Sequence, residues 1–460
     1  MKKVFLIFLI LSLGLHSLYA QTYKPTWESI DSRPVPAWFS DAKFGIFIHW
    51  GLYSVPAWAP TKGPVYEKYS EWYWARQNPK DKPFPAFTEF HNSTYGAKTS
   101  YTDFVSEFKA EMFDPAKWAE IFKQSGAKYI VLTSKHHDGF TLWPSEQAWN
   151  WNSVEVGPHR DLAGELSEAV KASGLHMGFY YSLYEWYNPL YKKDFPKYVS
   201  DHMMPQMKDL VNRYHPEIFW TDGEWEIPSD QWRSTDFLAW LYNESPVKET
   251  VVVNDRWGKE TRGKHGGFYT TEYDLVGDLA ADRVKFGHPW EECRGIGGSF
   301  GYNRNENLED YETSESLIYT LVNKVSMGGN LLLNVGPTAD GRIPVIMQQR
   351  LKDIGDWLTI NGEAIYETHA WKNTVKDKKS GTVFYTVKGD DLYVIATKWQ
   401  KEPIKVQGVT KASKVSMLGF NGKINYSVSK NTVTINFPQV SPLDNISKYA
   451  WVFKITGGAK

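Results

Sequence analysis

Tyr129-Ile-Val-Leu-Thr-Ser134 reads as a short strand buried on both faces. The helical stretch Pro115–Ser125 precedes it, and Lys135-His-His-Asp-Gly139 follows, where the apolar run stops on polar side chains. A continuous apolar run flanked by helices marks a parallel strand covered on both sides. The unit recurs along the chain. Phe44–His49, Met177–Ser182, Glu217–Trp220, Val251–Asn254, Phe268–Thr271 and Leu331–Asn334 are the other strand candidates. Asp161–Ser173, Pro196–Tyr214, Thr235–Asn243, Ser314–Ser326 and Val345–Thr359 carry helical periodicity between them. This alternation predicts an α/β fold, a (β/α)8-like TIM-type barrel over residues 21–370, with one strand irregular or missing from the pattern. A doubly wound sheet is the alternative, but no Gly-rich phosphate loop follows an early strand. From Trp371 the period changes to two, in the runs at 382–389, 392–399, 432–437 and 449–455, which predicts a C-terminal antiparallel β-sandwich over 371–460.

The 460 residues carry 52 Lys+Arg against 53 Asp+Glu, a net charge of −1. That balance argues against a nucleic-acid binder, which needs a basic stripe. Aromatic usage is high: 21 Trp, 27 Tyr and 24 Phe. Sugar clefts use such residues, because the apolar face of a pyranose packs on an indole while its hydroxyls take polar partners. At the N-terminus Lys2 and Lys3 precede an apolar run, Val4–Leu15, and Ser-Leu-Tyr-Ala at 17–20 offers a small-residue cleavage site. The reading is a signal peptide over residues 1–20, and hence an exported protein, periplasmic or secreted. The run is too short to span a bilayer, so no membrane span is expected. Cys293 is the single cysteine, which forbids an internal disulfide. It reads as a half-buried thiol near the cleft.

In such a barrel, polar residues at the C-terminal ends of strands face the active site. Collected strand by strand they are His49, His136, His137, Tyr181, Asp222, Arg256 and Glu272. The sharpest segment is Ile218-Phe-Trp-Thr-Asp-Gly-Glu-Trp225, where a buried strand ends in Asp222 and Gly223 lets the chain turn. A carboxylate there suits a nucleophile or a general base; Glu224 reads as supporting. A second carboxylate has two candidates, Glu272 in Tyr269-Thr-Thr-Glu-Tyr273 and Glu291 in Trp290-Glu-Glu-Cys293. Arg256 could pair with Asp255, or hold the nucleophile ionised, since a nearby cation lowers a carboxylate's pKa. The His136–His137 pair invites a metal reading, but zinc needs at least three protein ligands, and adjacent strand residues face opposite ways unless the strand is ending. Hydrogen bonding to substrate hydroxyls is the better reading. Gly51 to Lys109 is too long for a simple βα loop and is rich in Trp and Tyr, as functional loops on this face often are.

Phe44-Gly-Ile-Phe-Ile-His-Trp-Gly51, Lys135-His-His-Asp-Gly-Phe140, Trp220-Thr-Asp-Gly-Glu-Trp225, Asn254-Asp-Arg-Trp-Gly258, Ser299-Phe-Gly-Tyr-Asn303 and Asn330-Leu-Leu-Leu-Asn-Val-Gly-Pro337 together resemble the retaining α-L-fucosidases of glycoside hydrolase family 29. The likeness runs in order over about residues 25–370. It implies a catalytic barrel, a β-sandwich, no metal and no other cofactor, and release of L-fucose with retention. By position, Asp222 matches the family's nucleophile, Arg256 the arginine beside it and Trp220 the tryptophan on that strand. His49, His136 and His137 match histidines that bind fucose hydroxyls, and Tyr181 a tyrosine of the pocket. Glu71 and Trp72 in the long loop resemble a Glu-Trp pair of that pocket, and Phe300 the aromatic near the fucose methyl. Members differ over the acid/base; Thr271-Glu272-Tyr273 resembles the bacterial pattern, with Glu291 as the alternative. The expected partner is a fucosylated oligosaccharide or glycoconjugate, and a homo-oligomer is compatible with the sequence. An α-galactosidase and a non-catalytic glycan-binding protein are the competing readings.

Overall fold

The computed structural model describes residues 22–78, 84–274, 287–372, 381–409, 411–441, 444 and 446–459; the expected signal peptide lies outside them. Among the described residues, the first part of the chain builds one sheet of eight parallel strands. They are β1 (Phe44–Ile48), β2 (Tyr129–Lys135), β3 (His176–Ser182), β4 (Ile218–Asp222), β5 (Val252–Val253), β6 (Tyr269–Glu272), β7 (Trp290–Gly295) and β8 (Asn330–Val335). The order β5-β4-β3-β2-β1-β8-β7-β6 wraps the sheet into a TIM-type barrel whose two edges, β5 and β6, meet at a seam.

Seven strands fall where the apolar runs predict them. The eighth, β7, is Trp-Glu-Glu-Cys-Arg-Gly, and its charged residues hide it from any hydrophobic pattern. Alternation explains their placement. Glu291 and Cys293 point into the barrel, while Glu292 lies opposite Thr271 and points outward with it. Phe47, Tyr129, Tyr180, Trp220, Cys293 and Leu332 form the interior core together, distinct from the larger cluster between sheet and helices. One helix departs from its expected span. The predicted Pro196–Tyr214 run divides into a short helical turn, Phe195–Lys197, a π-helical turn, Tyr198–Met203, and a regular helix, Met204–Tyr214. Pro205 has no N–H to give the i−4 carbonyl, so the regular ladder cannot run through this point.

The seam is held by a close backbone approach. Phe268 N–H donates to the Val253 carbonyl at 3.0 Å, and a Cβ on Gly267 would stand 1.9 Å from that same oxygen. Only glycine fits there. Asp255 completes the closure, its Oδ1 accepting from the Thr270 amide at 3.1 Å and the Thr270 hydroxyl at 2.7 Å.

Among the described residues, the C-terminal part is a sandwich of a five-stranded and a three-stranded antiparallel sheet. Leu392, Val394 and Phe453 of one sheet pack against Val406, Val433 and Ile435 of the other. The outer face of the larger sheet meets the barrel's last helix, Val345–Asn361, where the Trp357 indole N–H donates to the Ala450 carbonyl at 2.9 Å.

Candidate active site

The C-terminal ends of the strands open into one cavity of about 500 Å3. Its β4–β6 side is built around the guanidinium of Arg256, with that of Arg262 also 3.5 Å from Asp222 Oδ1. Arg256, buried just beyond β5, donates from Nη1 to Asp222 Oδ1 at 2.7 Å and from Nη2 to Glu272 Oε2 at 3.3 Å. Its Nε donates to Thr270 Oγ1 at 3.0 Å, and its plane lies 4.5 Å over the Trp220 ring. The two carboxylates come from the inward positions that end β4 and β6. Tyr180 donates to Asp222 Oδ2 at 3.1 Å, and Tyr69 from the long first loop donates to Glu272 Oε1 at 2.8 Å. Burial acts to raise the Asp222 carboxyl, but Arg256 first, then His137 and Arg262, outweigh it and hold the group below the usual carboxylate range.

The β1–β2 side is made of histidines. Strand β2 ends at Lys135, so His136 and His137 escape strand alternation and both line the cavity. His137 Nδ1 lies 2.6 Å from Ser182 Oγ, and that hydroxyl already donates to the Tyr184 carbonyl. The ring must therefore be the donor at Nδ1, which leaves Nε2 with its lone pair, 4.0 Å from Asp222 Oδ2. His49 is fixed the same way. Asn334 gives its amide N–H to the Phe300 carbonyl, so its oxygen accepts from His49 Nδ1 at 2.7 Å and the other ring nitrogen is an acceptor. Burial drives His49 down to about 3 and His137 to about 4, and lowers His136 as well. These rings are neutral, preset acceptors for hydroxyl groups.

The chain that carries this site has clear relatives. A family model described as alpha-L-fucosidase matches residues 13–363, and one for the alpha-L-fucosidase C-terminal domain matches 375–456. The chain belongs to the α-L-fucosidases of glycoside hydrolase family 29. The human tissue alpha-L-fucosidase is 45% identical over 446 residues, covering 95% of this chain and 92% of that protein. The alpha-L-fucosidase of Dictyostelium discoideum is 43% identical and covers 99% of both. Among solved structures, the Thermotoga maritima alpha-fucosidase bound to a mechanism-based inhibitor superposes with a TM-score of 0.79 at 37% identity, over 94% of this chain and all of that one. A Bacteroides thetaiotaomicron alpha-L-fucosidase gives 0.76 at 26% identity, over 92% and 95%. The enzyme hydrolyses fucosyl glycosides, which sets aside the galactosidase and binding-protein readings.

In this fucosidase the pocket tyrosine is Tyr180, not Tyr181. One step along β3 reverses a side chain, and Tyr181 points outward, donating to Gln206 at 2.8 Å with Lys135 over its ring. The parity of Trp220 on the neighbouring strand, in register with Tyr180, carried the signal. Glu291 faces inward but one layer below the pocket. It accepts from the Tyr129 hydroxyl at 2.5 Å and the Trp220 indole at 3.1 Å, and it does not line the cavity. Glu224 is buried beside Asp222 and held by Arg262 Nε. Glu71, Trp72 and Phe300 all reach the pocket. Glu71 accepts from Gly301 N–H at 2.9 Å, and burial raises it to about 7. Phe300 stacks on His49 with ring centres 4.8 Å apart. Cys293 is buried in the pocket floor, and burial raises its thiol. The sequence reading did not single out Tyr69, Arg76 or Arg262; Tyr69 and Arg262 line the cavity from irregular segments and Arg76 from the short helix Tyr73–Gln77 of the long first loop, where no periodic pattern marks them. Among the described residues no three His, Cys, Asp or Glu side chains converge to hold a metal ion, and no helix is long and apolar enough to cross a membrane.

Proposed function

We propose that the enzyme removes terminal α-linked L-fucose from fucosylated oligosaccharides and glycoconjugates by a retaining double displacement, with Asp222 as nucleophile and Glu272 as acid/base. The observation that carries this reading is the bridge from one buried guanidinium, Arg256, to both carboxylates. Sharing one guanidinium keeps the groups close, which supports the separation of roughly 5–5.5 Å used for retention. Asp222, kept ionised by Arg256, attacks the anomeric carbon while Glu272 gives a proton to the departing oxygen. Glu272 then takes a proton from the water that opens the fucosyl-enzyme. His49 and His137 accept hydroxyl protons of the sugar through Nε2, and the Phe300 face provides the apolar wall a C5 methyl needs.

Proton NMR of the first product from an aryl α-L-fucoside tests the stereochemistry. Retention gives the α-anomer before mutarotation, and β-L-fucose appearing first would overturn the double displacement. We further propose export, on the basic and apolar segments ahead of residue 21. N-terminal sequencing of protein made from the whole gene should begin at Gln21, and an intact Met1 on the folded enzyme would refute it.

A further inference from the structure

We infer that Glu292, outside the barrel and out of reach of any substrate, is a positioning residue that sets the acid/base; the inference rests on the assignment of that role to Glu272. Immediately after Glu272 the chain makes two successive left-handed residues, Tyr273 at φ 49° and Asp274 at φ 59°. Neither is glycine, and a tyrosine there is strained unless its surroundings hold it. The surroundings do hold it, and they centre on Glu292.

Glu292 is fully buried on β7, directly across the register from Thr271. Its Oε1 accepts from the Asp274 backbone N–H at 3.1 Å, and its Oε2 accepts from the Thr271 hydroxyl. One carboxylate thus clasps the residue before Glu272 and the residue two after it. Arg294 neutralises that carboxylate at 2.6 Å and reaches Asp274 Oδ2 at 2.7 Å. Lys324, buried on the helix Ser314–Ser326, pairs with Asp274 Oδ1. On the inner side the Tyr273 hydroxyl accepts from Gly295 N–H at 2.8 Å. The turn is therefore tied to β7 and to a barrel helix, while Glu272 itself has two pocket partners, Tyr69 and Arg256. Release of the clasp lets the left-handed pair relax, and Glu272 sits on the strand end that would move.

A residue that acts only through the acid/base leaves a distinct kinetic mark. Protonation matters for a poor leaving group and little for a good one. The value of kcat/KM covers the steps through fucosyl-enzyme formation, so it isolates that proton. Glu292→Gln, and the charge-conserving Glu292→Asp in case the first folds poorly, should lower kcat/KM about 10–100-fold for a fucosyl disaccharide. For a chloronitrophenyl fucoside the loss should stay within about threefold, and azide should raise its kcat, as expected for a misplaced acid/base. Equal losses for both substrates, or none, would overturn the positioning role.

Glu272→Ala, run in parallel, separates the two readings. If Glu272→Ala is selective for the poor leaving group and the Glu292 variants are not, the acid/base assignment stands and the clasp falls. If Glu272→Ala shows no selectivity, the acid/base assignment falls and takes the clasp with it. The double variant closes the case, since a residue acting through Glu272 adds nothing once Glu272 is gone. A further loss beyond Glu272→Ala would overturn the inference.

Discussion

On the β4–β6 side of the pocket, Asp222 and Glu272 share the Arg256 guanidinium; on the β1–β2 side, three histidines stand uncharged. Asp222 is buried like the three histidines, so desolvation alone does not distinguish it from them. The difference lies in partners. Asp222 has a buried cation at 2.7 Å, which outweighs its burial. His49 and His137 have neutral partners at Nδ1, an amide and a hydroxyl, and the more distant Asp222 carboxylate repays only part of the cost of a buried charge. In the proposed mechanism the barrel thereby divides labour between one wall that exchanges charge with the reacting centre and another that reads hydroxyls at constant charge.

Removing the proposed nucleophile tests the reactive wall most severely. Asp222→Gly should lower kcat/KM by at least about 10^3-fold even for an activated aryl fucoside, because the bond-forming group is gone. Azide entering the vacated space should yield a fucosyl azide of inverted configuration. Near-normal turnover would remove Asp222 from the role and erase the distinction between the walls.

Arg256→Leu should come next, with a fall of roughly 10^2–10^3-fold, since one change frees both carboxylates. The sign of its pH effect is fixed. In the proposed double displacement Asp222 acts as the carboxylate, and its pKa is held down by Arg256, so the acid limb of kcat/KM should move to higher pH in the variant. Arg256→Lys should restore much of the limb's position and little of the rate, because a point charge cannot span two carboxylates. An unmoved acid limb would show that Asp222 owes its ionisation to something else.

The histidine wall should respond differently. His137→Ala deletes an acceptor for one hydroxyl, for which about 10–100-fold in kcat/KM is expected. The pH profile should keep its shape above about pH 5, since the ring is already neutral there, its pKa being about 4. The wall also has a stability signature. A histidine whose folded pKa lies below its unfolded one stabilises nothing on acidification: the unfolded chain takes up the proton first. Stability should therefore decline as pH falls from the ordinary 6.5 towards about 4, and His137→Ala should flatten that decline in urea titrations.

How much of this was legible beforehand follows from what leaves a pattern. Strands β1 to β4 and β8 are apolar runs, and a parallel strand covered on both faces writes itself as one. Asp222, His49, His136 and His137 were readable as polar residues ending those runs. Strand β7 was not, because its inward Glu291 and outward Glu292 both have dedicated partners, and paired charges look like loop in a sequence. Tyr180 was missed by one position, since two adjacent tyrosines give no parity and only pairing with β4 supplies it. Arg262 and Tyr69 reach the pocket from irregular chain, where placement depends on long-range contacts that no local spacing encodes.

Glu291 carries the smallest expected effect and the sharpest boundary, because it faces the same interior as the reactive wall without reaching its cavity. Glu291→Gln keeps an oxygen for the Trp220 indole and offers the Tyr129 hydroxyl an N–H instead of a lone pair, so Trp220 and the Arg256 above it should stay in place. The expected loss in kcat/KM is within about threefold, equal for good and poor leaving groups, as befits a group that transfers no proton. Stability separates the variant from the parent more clearly. Burial raises Glu291 to about 7 from the ordinary 4.5. The folded state thus holds a proton that the unfolded state releases, so the parent loses stability as pH rises from 4.5 through 7. Glutamine does not titrate, and the variant should gain on the parent across that window by on the order of 3 kcal/mol at most. Urea midpoints at pH 5 and pH 8 check the sign. If Glu291→Gln instead crippled only the poor leaving group, with Glu272→Ala indifferent to it, the acid/base would lie on β7, and the dividing line between the layers of this barrel would have to be redrawn one strand over.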